Sequence, residues 1–204
     1  MKDKNLQYYI SRFLTTYLGG ERGLSENTFI SYNHTFQLLI PFFHDSLKKP
    51  INKVTMDEFT SDNIKAFLSS LEEKGCSAST RNQRLAAIKS FCRYVQADSP
   101  QDLYNMQQIL AIPSKKQEKP AMQYLTAGQL EMLLARPDSS NKYGFKDLLI
   151  LTILSDTGVR VSELVGIRVS DVRLGPPAQI LVHGKGNKNR YDPVSSNTAK
   201  LLSL

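Results

Sequence analysis

The chain has 204 residues, enough for one large or two modest domains, and 41% of them are hydrophobic, enough to fill ordinary cores. Its 26 lysines and arginines exceed its 19 acidic residues by 7, which favours an anionic partner such as nucleic acid. The two cysteines lack the spacing of a zinc site or a disulfide framework, and the three histidines are scattered, so we expect no metal site. The first residues lack the apolar core of a signal peptide, and no apolar run reaches the ~18 residues of a membrane span. We expect a cytoplasmic protein with no membrane partner.

Four segments in the first half of the chain have apolar residues at helical spacing. Gly19–Gly20 and Gly75 are expected to end the first and third of these helices, because glycine takes the left-handed conformation without a steric clash. Ser25 is a suitable cap for the second helix. The helices are predicted over residues 6–18, from Ser25 to the Lys48–Pro50 turn, over 62–73 and over 79–95.

The fourth helix has two distinct faces. Its apolar positions fall on one side at about 100° per residue, whereas Asn82, Gln83, Lys89 and Arg93 fall on the other. Amides and positive charges among small residues let a helix approach a duplex and offer groups for phosphates and base edges. A solvated face without a partner would have a similar composition, so both interpretations stay open for this helix alone.

Residues 99–121 change in character, with prolines and lysines and no apolar periodicity, and predict a basic linker. Beyond it, Thr126 caps a helix whose Gln129 completes a capping box. The apolar run over 148–154 predicts a helix buried on all sides.

That buried helix is expected to end at Gly158, and a second short helix is predicted over 161–167. Arg160 therefore falls at a junction of two helices. Its planar fork of donors suits a phosphate or a carboxylate better than a lysine would. The alternative is an arginine that only pairs with Glu163, three residues further on the same helical face.

The β-formers and turn residues between 178 and 194 predict a β-hairpin with Lys185 at its tip. A nucleotide-binding phosphate loop is excluded, because no Ser or Thr follows this lysine. A lysine between two glycines can instead reach into a groove and donate a proton to a leaving oxygen on DNA, with Lys188 and Arg190 adding positive charge nearby.

The motif from Thr157 to Leu164, followed by Gly184-Lys185-Gly186-Asn187-Lys188, resembles the tyrosine recombinases, the phage-integrase family, and most of all its Xer-type members. The segments Asn27–Tyr32 and Ser79–Leu85 are similar to the family's N-terminal domain. The resemblance implies a mainly α fold. It predicts a four-helix, SAM-like core-binding domain over 1–98, a linker over 99–121, and the first part of an α+β catalytic domain with a β-hairpin over 122–204.

The family also implies a C-shaped clamp on duplex DNA and a tyrosine that attacks the phosphodiester to form a 3′-phosphotyrosine, without a metal or nucleotide cofactor. By this resemblance Arg160 would hold the non-bridging oxygens, Lys185 would protonate the leaving 5′-oxygen, and Glu163 would support the site. The side chains expected to contact DNA are Thr28, Arg81, Asn82, Gln83, Lys89, Arg93 and Lys188.

The sequence departs from the family after Lys185, where it has no His-x-x-Arg segment and no tyrosine except Tyr191, which we interpret as structural. We therefore expect a truncated site-specific recombinase or integrase that binds DNA but cannot cleave it alone, and that self-associates or joins a full-length recombinase on DNA. The alternative is a regulatory DNA-binding protein that occupies recombination sites or pairs with a full-length recombinase. A third hypothesis is a basic helical protein that acts on RNA or on another protein.

Overall fold

The computed structural model describes residues 5–21, 25–98, 102–117, 121, 123–184, 186 and 188–204. The chain divides into two compact units, Met1–Pro120 and Ala121–Leu204, and each has its own cluster of buried hydrophobic side chains. Lys185, the predicted hairpin tip, lies outside the described residues. Within the described ranges, no helix combines the length and the apolar character needed to cross a membrane.

The first unit is helical, and the four helices predicted from apolar periodicity are present. Its elements are α1 (Leu6–Arg12), which continues as a π-helix (Phe13–Glu21), α2 (Glu26–Leu47), two 3₁₀ turns (Ile51–Lys53 and Met56–Glu58), α3 (Ser61–Glu73), α4 (Ala78–Asp98) and α5 (Leu103–Leu110).

Two predictions for this unit were wrong. The first helix does not end at Gly19–Gly20, because the wider π-helical turns carry it on to Glu21 and bury Leu18. The predicted linker over 99–121 contains α5, whose Met106 and Ile109 are buried. A helix of two turns has too few inward positions to show a periodicity in the sequence.

The core of the first unit centres on Phe91 of α4. Its ring makes edge contacts with Phe13, Phe36 and Phe59 at centroid distances of 5.4, 5.4 and 5.3 Å. The five side chains predicted to face inward from α4 are all buried, namely Leu85, Ile88, Phe91, Cys92 and Val95. Because aromatic contacts fix α4 on this side, its polar side faces away from the core.

The second unit combines helices with a small sheet. Its elements are α6 (Ala127–Leu134), α7 (Lys142–Thr157), α8 (Val161–Val165), a 3₁₀ turn (Val169–Asp171), β1 (Val172–Arg173), β2 (Gln179–Gly184), β3 (Lys188–Pro193) and α9 (Ser196–Leu202). The strands form an antiparallel sheet in the order β1-β2-β3. The register of β2 and β3 runs from Gly184 opposite Lys188 to Gln179 opposite Pro193, so the predicted hairpin is confirmed.

The apolar run in α7 is only partly buried, which corrects the prediction of burial on all sides. Of residues 148–154, Ile153 is buried and the others are half-buried within this unit. Ile153 packs with Val159 and with Ile180 and Val182 of β2. The sheet and the neighbouring helices of this unit thus cover one side of α7.

Candidate functional site

A glycine turn sets the position of Arg160. Gly158 ends α7 in the left-handed conformation with φ of 64°, as predicted, and its N–H donates to the Leu154 carbonyl at 3.0 Å. The next residue, Val159, is buried, and Arg160 immediately precedes α8 in an extended conformation. The backbone on both sides of Arg160 is therefore fixed, while 75% of its side chain is exposed.

Glu163 holds Arg160 at two points. Its Oε2 accepts the Arg160 backbone N–H at 3.0 Å, and its Oε1 accepts from Arg160 Nη1 at 2.9 Å. The carboxylate lies in the first turn of α8, where the helix dipole favours a negative charge. The ion pair offered by the alternative interpretation of Arg160 is thus present, yet it occupies one edge of the guanidinium and leaves the rest accessible.

A second arginine, expected from the sequence only as positive charge near the hairpin tip, also binds Glu163. Arg190 of β3 donates from Nη1 to Oε1 at 3.2 Å and from Nη2 to Oε2 at 3.0 Å. Its Nε donates to the two oxygens of Asp192 at 3.1 and 3.0 Å. The sequence places Arg190 near the hairpin tip, and strand alternation puts it on the same face as Asp192, but neither signal brings it to Glu163.

The two arginines keep Glu163 ionised. Hydrogen bonds from the Arg190 guanidinium, followed by the backbone N–H and side chain of Arg160, outweigh the effect of burial and lower the pKa of Glu163 from 4.5 to about 2. Glu163 in turn raises the pKa of Arg190. A carboxylate that stays charged at neutral pH can orient both guanidiniums without exchanging protons with a substrate.

The hairpin approaches this cluster at Gly184, the residue before Lys185. A Cβ at this position would lie 3.0 Å from the Lys188 carbonyl oxygen, 3.4 Å from Glu163 Oε1 and 3.6 Å from Arg190 Nη1. Only a residue without a side chain fits here without a shift of its neighbours. The structure therefore brings the end of β2 against the Arg160–Glu163 pair. Lys188 is exposed opposite Gly184, at the start of β3.

In the first unit, part of the polar face of α4 holds residues 112–115. Asn82 donates from Nδ2 to the Lys115 carbonyl at 2.8 Å and accepts the Lys115 N–H at 2.9 Å. Lys89 donates to the Ile112 carbonyl at 2.6 Å. Arg81, expected among the DNA contacts, is 7% exposed and donates to the Pro113 carbonyl at 3.2 Å. We call this set of contacts the α4 clamp.

The remaining predicted DNA contacts lie on α2 and α4. Gln83 is exposed and donates to Ser31 Oγ of α2 at 2.9 Å, and Arg93 is exposed on α4. Thr28 is half-buried near the start of α2, where its hydroxyl lies 2.9 Å from Ser25 Oγ. Gln83 and Ser31 thus join the polar faces of two neighbouring helices.

The fold and the motifs define the class to which the protein is similar. Residues 10–98 match the phage integrase N-terminal SAM-like domain, and residues 123–203 match the phage integrase family. A lambda integrase dimer bound to a COC′ core site has a similar fold, with a TM-score of 0.67 and 18% identity over 96% of this chain and 65% of that chain. The Tn1549 transposon integrase in complex with circular intermediate DNA matches with a TM-score of 0.62 and 19% identity over 96% of this chain and 62% of that chain.

Curated relatives extend the match in sequence. The putative integrase/recombinase y4rC of Sinorhizobium fredii is 36% identical over 202 residues, 98% of this chain and 61% of the relative. The putative integrase/recombinase y4rD of the same organism is 34% identical over 97% of this chain and 70% of the relative. Tyrosine recombinase XerC of Bacillus subtilis is 30% identical over 98% of this chain and 63% of the relative. The chain belongs to the tyrosine recombinase (phage integrase) family, and it spans 61% to 70% of the length of these relatives.

Proposed function

We propose that this chain binds duplex DNA in site-specific recombination, with the first unit as the core-binding domain and the second as a partial catalytic domain. The observation that carries the proposal is the junction of α7 and α8, where an exposed arginine is fixed by a buried carboxylate beside the end of the β2–β3 hairpin. A preorganised cation of this kind suits a phosphodiester whose negative charge increases in the transition state.

In this proposal Arg160 holds the non-bridging oxygens of one phosphate. Its guanidinium donates one hydrogen bond to Glu163 and has further N–H groups for a ligand, since it is 75% exposed. Lys185 follows Gly184 in sequence and is assigned the proton for the leaving 5′-oxygen, by resemblance to the family. Glu163 is a positioning group because its hydrogen bonds go to the two arginines and only 5% of its side chain is exposed.

The chain alone is proposed to bind DNA without cleaving it. Tyr191 follows Arg190 directly on β3, so its side chain projects from the opposite face of the strand. Its ring lies 4.9 Å from the Arg173 guanidinium carbon, which is consistent with a structural role. The geometry therefore supports a phosphate-binding role for Arg160 and a structural role for Tyr191.

Incubation with supercoiled DNA that carries a recombination site of a related recombinase tests whether this chain can cleave DNA alone. We expect no protein–DNA adduct that survives denaturing electrophoresis, and such an adduct formed by this chain would overturn the proposal.

Salt dependence tests the DNA binding itself. The logarithm of the binding constant should fall with the logarithm of the salt concentration with a slope of about −0.9 per phosphate contact. Arg160→Ala and Arg93→Gln should each make that slope shallower by about one contact. Lys65→Gln is the matched control, because Lys65 is an exposed cation of α3 paired with Asp62 at 3.1 Å. A response to salt that is flat in the unsubstituted protein would count against DNA as the ligand.

A further inference from the structure

We infer that Arg190 is a positioning residue. Through Glu163 it fixes the position of Arg160 relative to the β2–β3 hairpin. The inference rests on the proposed phosphate-binding role of Arg160 for its functional meaning. Its structural content, the coupling of the two arginines, stands on the contacts of the second unit alone.

The contacts of Arg190 distinguish it from a phosphate ligand. Each of its three guanidinium nitrogens donates to a carboxylate, two to Glu163 and one to Asp192, at 3.0 to 3.2 Å. Its side chain is 41% exposed, against 75% for Arg160. A phosphate would have to compete with two carboxylates for Arg190, whereas it meets open donors on Arg160.

The backbone of Arg190 is itself well fixed. It stands opposite Val182 in the antiparallel register, and Val182 is fully buried in the core of the unit. The two hydrogen bonds from the Arg190 guanidinium therefore hold the Glu163 carboxylate at a fixed position relative to the sheet. Bidentate pairing fixes the carboxylate in angle as well as in distance, which a single contact would not do.

Each oxygen of Glu163 is shared between the two arginines. Oε1 accepts from Nη1 of Arg160 at 2.9 Å and from Nη1 of Arg190 at 3.2 Å, while Oε2 accepts the Arg160 backbone N–H and Nη2 of Arg190, each at 3.0 Å. Without Arg190 the carboxylate keeps only its contacts within the first turn of α8. Gly184 would then lose the fixed surface against which the hairpin end rests.

A double-mutant cycle on duplex DNA affinity tests this coupling. Arg160→Ala should weaken binding about tenfold, as expected for one charge-assisted hydrogen-bonded contact. Arg190→Gln should weaken it severalfold, and the double variant should bind no worse than Arg160→Ala alone. Arg168→Gln is the matched control, since Arg168 is exposed and its substitution removes the same charge from the same unit. In the double variant with Arg160→Ala, the fold losses of DNA affinity caused by the two substitutions should multiply. If the fold losses of affinity caused by Arg190→Gln and Arg160→Ala also multiply in the double variant, the inference is wrong.

A second measurement does not depend on DNA. The carboxyl carbon of Glu163 is followed by NMR as a function of pH, together with the heteronuclear NOE of the Arg160 Nε–H. In Arg190→Gln we expect the Glu163 midpoint to rise towards 4.5 and the Arg160 NOE to fall. Arg190→Lys should restore the midpoint only in part, because lysine offers one contact in place of two.

These two measurements separate the possible failures. If Arg160→Ala leaves DNA affinity unchanged, the proposed phosphate contact is wrong, and the NMR titration still decides the coupling. If Arg160→Ala weakens binding but Arg190→Gln changes neither the Glu163 midpoint nor the Arg160 NOE, the coupling is wrong and the phosphate contact stands.

Discussion

Asn82→Ala is expected to loosen residue 115 from α4. The Asn82 side-chain amide makes two hydrogen bonds with the Lys115 backbone, one as donor at 2.8 Å and one as acceptor at 2.9 Å. At a net value of about 1 kcal/mol for each hydrogen bond, the substitution removes about 2 kcal/mol of local stability. Since 1.4 kcal/mol corresponds to a factor of about ten, hydrogen exchange of the Lys115 amide should become about 30 times faster.

The assay is amide hydrogen exchange followed residue by residue, with Gln83→Ala as the matched control. Gln83 is the next residue of α4, and its amide donates to Ser31 of α2 rather than to the clamped segment. We expect the Lys115 amide in Gln83→Ala to exchange as in the unsubstituted chain. If Asn82→Ala changes this rate by less than about threefold, Asn82 does not hold the segment, and the reasoning from its two hydrogen bonds fails.

Three further predictions concern pH, packing and thiol reactivity. The low pKa of Glu163 contributes stability that is complete above about pH 4.5 and is lost as the pH falls towards 2, so the difference in Tm between the unsubstituted chain and Glu163→Gln should narrow over that range in thermal melts. Gly184→Ala should lower the free energy of unfolding by about 1 to 3 kcal/mol in denaturant titrations, because its Cβ meets a carbonyl oxygen at 3.0 Å; Gly175→Ala, where a Cβ meets nothing within 4 Å, should be close to neutral, and equal effects would refute the steric argument. Burial raises the pKa of the Cys92 thiol to about 12, so a thiol-reactive disulfide reagent at pH 8 should modify half-buried Cys76 in the folded protein and both cysteines after denaturation; rapid reaction of Cys92 in the folded state would show that α4 opens.

Local rules in the sequence anticipated much of the secondary structure. The apolar stripe of α4, the glycine that ends α7 and the capping box of Thr126 with Gln129 all depend on residues within a few positions of one another, and all are present. The hairpin was likewise predicted from the turn residues between two strands. In each case the interaction is specified by spacing along the chain, so the sequence contains the necessary information.

The contacts of the site depend on information that spacing does not contain. Arg190 reaches Glu163 only because β3 pairs with β2 in one register, and a slip of one residue would turn Arg190 to the other face of the sheet. The α4 clamp depends on where residues 112–115 run after α5, a helix too short to be recognised. Arg81 illustrates the result, since a cation predicted to contact DNA is buried against the Pro113 carbonyl.

The pairing of Arg160, Arg190, Glu163 and Asp192 has a consequence for the kinetics of association. Two positive and two negative side chains lie within hydrogen-bonding distance of one another, so their fields largely cancel beyond a Debye length of about 10 Å at 0.1 M salt. The four residues therefore contribute little to long-range attraction, and the chain's charge of +7 acts through other lysines and arginines. Substitutions that keep the charge at these positions, such as Arg160→Lys, should change how long a bound duplex stays, while the rate at which it arrives is set by the basic residues elsewhere on the surface.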